Sequence, residues 1–175
     1  LGVEAYGEWM ELDFYQHVKP LEIKQKLQKN LPKGIKLMSA ELMPLNSRNL
    51  SQEIKCARWS FDLSTNSNEK LHKFDIEKGI QALLTAKKLT WKDKDKKGRP
   101  REIDFSSFLM SLTIKTIDIG PQERSYLEKI RLEMQTNIDQ IGRSIKPIQI
   151  KTWLDKYFGL NLEIENIKRD ELLLY

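Results

Sequence analysis

Eight basic residues crowd the stretch from Lys87 to Phe105, KKLTWKDKDKKGRPREIDF. They are Lys87, Lys88, Lys92, Lys94, Lys96, Lys97, Arg99 and Arg101, opposed by Asp93, Asp95, Glu102 and Asp104. The stretch therefore carries +4 of the chain's formal +5. Ammonium and guanidinium groups at this density can neutralise phosphates. Trp91 lies among them, and an aromatic ring set between cations is the mix that single-stranded RNA binders use. The competing reading is a charged loop that serves only solubility. Asp104 closes the stretch. It offers a carboxylate base in principle, but a carboxylate beside cations more often pairs with one of them.

Elsewhere the chemistry is sparse. His17 and His72 stand far apart, and neither has a partner at metal-ligand spacing. Cys56 is the only cysteine, so the chain holds no internal disulfide, and no His is identifiable as its base. A reducing compartment, the cytoplasm, suits this usage. One thiol also falls short of the three that an iron–sulfur cluster normally needs, so no cofactor is expected in this chain. Gly34 and Gly98 stand alone, which leaves no phosphate-cradling glycine motif. No apolar run approaches the roughly 20 residues that span a bilayer. The opening LGVEAYGEWME has neither the basic start nor the apolar core of a signal peptide. It also lacks an initiator Met, and the expectation is a fragment of a longer protein.

The elements that must position the basic stretch follow from periodicity. Met10, Leu12 and Phe14 alternate with Glu11 and Asp13, which predicts a strand over 8–14. Pro20 opens a helix with Leu21, Ile23, Leu27 and Leu31 as its apolar stripe. Residues 35–42 read as a second strand, completing a β-α-β unit. Ala57, Trp59, Phe61 and Leu63 predict a further strand, and the polar run 64–70 marks a boundary. Asp75 can cap a helix carrying Ile76, Ile80, Leu83 and Leu84. In the basic stretch, Lys97-Gly98-Arg99-Pro100 is a turn between short β-prone runs, so a hairpin with a cationic tip is expected over 87–105. Two alternating strands follow, one with Phe108, Met110, Leu112 and Ile114, the other with Ile130, Leu132, Met134 and Thr136. Pro147 opens a last helix with Ile150, Trp153, Leu154, Tyr157 and Phe158, closed by Gly159. A strand over 162–167 ends the series.

This order predicts an α+β fold of mostly antiparallel sheet with helices on one face. Split β-α-β, ferredoxin-like units are the leading plan. It admits two related halves, although no sequence repeat demonstrates a duplication. Residues 1–50 would end a first subdomain, and 51–175 would form a second that carries the hairpin.

Several of these segments resemble one family. LGVEAYGEWMELDF is similar to the entry segment of the bacterial radical SAM-linked proteins of unknown function. LQKNLPKGIKLMSAELMP resembles their Leu-Pro-x-Gly-Ile segment. Leu50-Ser51 ahead of Ala57-Arg58-Trp59, and KDKKGRPREIDF, are similar to later family segments. Gly142 to Pro147 resembles versions fused to the radical SAM protein. Ser106 and Ser107 depart from the pattern, which has Arg and often Pro there. The resemblance implies a C-terminal domain fused to, or encoded beside, a cobalamin-binding-type radical SAM protein. The partner would be that radical SAM domain, in cis or in trans. A 4Fe-4S cluster and S-adenosylmethionine would belong to it, and the resemblance supplies no catalytic residue here.

Three functions remain open on these grounds. The first is a non-catalytic accessory domain that positions an RNA through Lys87, Lys88, Trp91, Lys92, Lys94, Lys96, Lys97, Arg99 and Arg101. The second is a protein-docking module that holds the radical SAM domain without touching nucleic acid. The third is a free-standing enzyme that uses Asp104. None of them involves a membrane.

Overall fold

The run Ala57-Arg58-Trp59-Ser60-Phe61-Asp62-Leu63 alternates at period two, and it forms the central strand of the protein's main sheet. The computed structural model describes residues 3–65, 73–94, 98–119 and 127–174. In chain order the elements are β1 (Glu4–Ala5), α1 (Pro20–Asn30), α2 (Leu50–Glu53), β2 (Ile54–Ser64), α3 (Lys73–Thr85), β3 (Thr90–Lys94), β4 (Pro100–Asp104), β5 (Leu109–Ile119), β6 (Leu127–Asn137), α4 (Pro147–Phe158) and β7 (Glu163–Leu174). They fall into two compact units. One comprises Leu1–Trp9 with Ser51–Tyr175, the other Met10–Leu50.

The larger unit is α+β. Its five-stranded sheet has the order β1-β7-β2-β6-β5, antiparallel throughout except that β1 runs parallel to β7. The crossover from β2 to β5 carries α3 and leaves room for β6 between its arms. The crossover from β6 to β7 carries α4 and brackets β2. One face of the sheet is apolar. Trp59 lies opposite Met134, Phe61 opposite Leu132 and Leu63 opposite Ile130. Ile76, Ile80 and Leu83 of α3 and Ile150 and Leu154 of α4 close over that face in a single cluster. Each such side chain, fully buried, stabilises the fold by roughly 1.5–3 kcal/mol. Gly79 lets the two helices approach: a Cβ there would run into the Phe158 ring.

The helix ends follow local chemistry. Pro147 occupies the first turn of α4, and the Gln149 side chain accepts the Lys146 N–H at 2.7 Å. Gly159 closes the helix in the left-handed region at φ 68°. Asp75 is not a cap: α3 runs from Lys73, so Asp75 sits in its first turn, where the helix dipole favours a carboxylate. Leu84 is exposed and does not join the stripe of α3.

Two strands depart from strict alternation. In β5, Leu109 opposes Thr136 and Ser111 opposes Gln135, which leaves Met110 as the extra residue of a bulge. Met110 is therefore 49% exposed, while Leu109 packs on the core. In β7 the register against β2 slips three times, and Asn166 takes φ 47°. With these irregularities the last strand runs seven residues beyond the expected end at Ile167, to Leu174.

The expected strands over 8–14 and 35–42 do not form. β1 reaches only Glu4–Ala5, continued by a Tyr6 N–H donated to the Arg169 carbonyl at 2.8 Å. Met10, Leu12 and Phe14 remain exposed. In the smaller unit, α1 begins at Pro20 as expected and stops at Leu31, whose N–H reaches the Leu27 carbonyl. The segment after it is held by side chains. Gln28 donates to the Ile35 carbonyl at 2.9 Å and accepts the Leu37 N–H at 2.8 Å, and Lys24 Nζ donates to the Met38 carbonyl. These bonds occupy the groups that a strand ladder would use, so the expected β-α-β unit is a helix with an irregular return.

Candidate nucleic-acid interface

The basic stretch folds as the expected hairpin. β3 and β4 form their own two-stranded antiparallel sheet, with Thr90 opposite Asp104, Trp91 opposite Ile103, Lys92 opposite Glu102, Asp93 opposite Arg101 and Lys94 opposite Pro100. Lys96 and Lys97, expected at the tip, lie outside the described residues. Gly98, which follows, adopts φ 78°, a conformation that glycine reaches without steric cost.

The base of the hairpin is built into the core. Leu89 and Phe105 are buried, and the Phe105 N–H donates to the Leu89 carbonyl at 2.7 Å. Phe105 meets Phe108 edge to face, with ring centroids 5.6 Å apart. Trp91 is half-buried and packs against the same cluster. Asp104 closes the base: its Oδ1 accepts the Leu89 N–H at 3.0 Å and the Ser106 N–H at 2.9 Å. The Ser106 N–H is the main cause that holds its pKa below the ordinary carboxylate value; desolvation opposes it, and the Leu89 N–H, the Ser106 side chain and the Lys88 charge add to the lowering. A carboxylate stabilised in this way is a poor proton acceptor. Its visible work is to fix the hairpin to the turn that follows.

Lys87, Lys88, Lys92 and Arg99 are exposed, and the register places Lys94 and Arg101 on the paired strands. Lys88 Nζ lies 3.6 Å from Glu102, a solvated pair worth little on its own. The arrangement can present ammonium groups to an anion from a β-ribbon rooted in the core.

The remaining candidates are dispersed. His17 is exposed in the smaller unit, and His72 lies outside the described residues. Cys56 is fully buried, its Sγ 3.9 Å from Met110 Sδ. Among the described residues no group of three or more His, Cys, Asp or Glu side chains could hold a metal ion. Among them, too, no helix is long and apolar enough to cross a membrane.

Sequence reasoning passed over one charged cluster. Asp62 is only 2% exposed, on the sheet face turned away from α3 and α4. Arg131 grips it through two bonds, Nε to Oδ1 at 2.7 Å and Nη2 to Oδ2 at 3.0 Å. Asn166 Nδ2 donates to Oδ2 at 2.7 Å, and Lys129 Nζ stands 3.3 Å away. Burial alone would raise the Asp62 pKa, but the hydrogen bonds from Arg131, Asn166 and Lys129 outweigh it and bring it to about 2. Lys129 also pairs with Glu165, Arg58 with Glu171, and Lys115 with Glu133. This face is thus laced by ion pairs between strands. A sequence signal existed, since Asp62 and Arg131 both occupy the polar phase of apolar strands. It needed the β2–β6 register to become a contact.

No solved structure matches the chain. No curated protein matches it either. A family model does: the one described as an uncharacterized protein conserved in bacteria (DUF2344) matches residues 1–147, and the chain belongs to that family.

Proposed function

We propose that this chain is a non-catalytic positioning domain that holds an RNA by its sugar–phosphate backbone on the β3–β4 hairpin, beside a radical SAM domain that performs the chemistry. One observation carries the RNA reading. Lys92, Lys94 and Arg101 stand on a two-stranded sheet of their own, with Lys87 and Lys88 just ahead of it, and its base, Leu89 and Phe105, is anchored in the core. A loop that served only solubility would need no such foundation. The radical SAM partner, in cis or in trans, rests on the sequence resemblance. This chain's residues do not suit a cluster, because its lone cysteine is buried in the fold. On that resemblance the cluster and S-adenosylmethionine would belong to the partner. Phosphate contacts orient a substrate without reading its sequence, which suits positioning.

The test is fluorescence anisotropy with a labelled RNA at about 50 and 200 mM salt. Engagement of about six phosphates predicts a loss on the order of a thousandfold in affinity across that range. Charge reversal at Lys87, Lys88 and Lys92 together should abolish binding. Absence of binding at the lower salt would refute the reading.

A second reading, docking of a protein partner, is favoured by the smaller unit. Met10, Leu12, Phe14, Met38, Leu42 and Met43 are all exposed there. Under that reading the triple charge reversal spares association with the radical SAM domain, and RNA does not bind.

A further inference from the structure

The hairpin's aromatic residues constrain which RNA it can take. Single strands are held by cations together with exposed rings on which bases stack. Duplex RNA is held through shape, phosphates and 2′-hydroxyls, with no stacking platform. Of the described aromatic residues of this region, Phe105 is buried, and Trp91 and Phe108 are half-buried and pack against the core cluster. The cross-strand neighbour of Lys92 is Glu102, not a ring, and Glu102 is also engaged by Lys88. The open face of β2 and β6 offers no alternative platform. Arg58, Ser60 and Asp62 face Gln135, Glu133 and Arg131 there. Among the described residues of this unit Tyr6, Trp9 and Tyr157 are exposed, but Tyr6 follows β1 at the edge of the sheet opposite β5, the strand to which the hairpin leads, Trp9 donates to the Leu172 carbonyl of β7, and Tyr157 is stacked on Trp153 of α4.

From this juxtaposition we infer that the ligand is double-stranded RNA, gripped along its backbone by Lys87, Lys88 and Lys92, and that Trp91 is a structural anchor of the hairpin rather than a base-stacking platform. This inference rests on the RNA reading above and narrows its substrate class. It also accounts for the firm base of the hairpin. A duplex presents its phosphates at fixed spacing, and Lys92 stands on a paired strand while Lys87 and Lys88 precede it beside the anchored Leu89, so their backbone loses little freedom on binding.

The experiment titrates the 175-residue chain with a labelled RNA duplex of about 20 base pairs, long enough for a typical duplex-binding module, and with one of its strands alone. Trp91→Leu is measured alongside, its fold checked by circular dichroism. The duplex should bind more tightly than the strand. Trp91→Leu should change affinity less than about twofold, whereas a stacked base lost would cost on the order of 5- to 100-fold. Neutralising Lys88 and Lys92 to Gln should reduce the salt slope for the duplex by about 2. A single strand that binds as well as the duplex, or weakens 5-fold or more in a folded Trp91→Leu, would overturn the inference and leave the RNA reading standing. No binding to either probe would overturn both. Should Trp91→Leu fail to fold, the duplex-to-strand comparison on the unaltered chain decides alone.

Discussion

The Asp62 cluster gives the fold a measurable response to acid. The perturbation is Asp62→Asn, which keeps the shape and one acceptor but removes the charge. Folding lowers the Asp62 pKa from 3.8 to about 2. At about 1.4 kcal/mol per pH unit, that difference stabilises the native state by on the order of 2 kcal/mol near neutrality. Removing one partner of a fully buried ion pair costs about 3–5 kcal/mol. Here the Arg131 and Lys129 side chains are 48% and 32% exposed, so water compensates them once Asp62 is neutral, and the smaller figure governs. The midpoint of thermal unfolding at pH 7 should fall by about 4–8 °C for a chain of this size. The pH dependence is more specific. A carboxylate with a depressed native pKa stabilises fully above its unfolded value, 3.8, and the stabilisation disappears as pH falls through about 2. About half of it is gone by pH 3. Urea unfolding of both proteins at pH 7 and pH 3 provides the assay, since other carboxylates titrate equally in the two and cancel. The stability gap should shrink by about half at pH 3. A gap that is unchanged between the two, or absent at pH 7, would refute the account of this cluster.

Two further perturbations probe the scaffold. Gly79→Ala drives a methyl into the Phe158 ring and should destabilise by about 1–3 kcal/mol. Because the obstacle is the end of one side chain, Phe158→Leu in the same chain should recover part of the loss, and a double-mutant cycle with no coupling would show that the helices do not meet there. Asp104→Ala removes the acceptor of the Leu89 and Ser106 amides. Those two amides should then exchange faster with solvent, while Phe105, bonded to the Leu89 carbonyl, keeps more of its protection; equal loosening of all three would mean that Asp104 is not a local clamp.

What could be read in the sequence was what local physics decides. Pro20, Pro147 and Gly159 mark helix ends because their backbone constraints act without tertiary help. The alternation in β2 and β6 survives because both strands are flanked by neighbours on each side and have one apolar face. The hairpin was legible from its turn residues. The bulge at Met110 and the slips around Asn166 were not, since an extra residue in a strand is defined against its partner. The strands expected at 8–14 and 35–42 failed for a related reason. Alternation is necessary for a half-buried strand, but a ladder needs a second edge, and Gln28 had already taken the groups of Ile35 and Leu37. For the candidate site, the positions of the cations were evident. The commitment of Trp91 to the core and the locking of Asp104 required packing that spacing does not encode.

The placement of β2 at the centre of the sheet has a consequence for biosynthesis. Its first partner, β6, begins about 60 residues downstream, and β7 about 100. At ribosomal speeds of about 5–20 residues per second, Trp59, Phe61 and Leu63 emerge roughly 3–12 seconds before any strand exists to pair with them. The β3–β4 hairpin, by contrast, closes within a short local loop, on a scale of about 1–10 microseconds. During synthesis the cationic hairpin thus precedes β6, α4 and β7, the later part of its scaffold, and for those seconds the nascent chain displays an unpaired apolar strand to whatever chaperone or neighbouring chain is at hand.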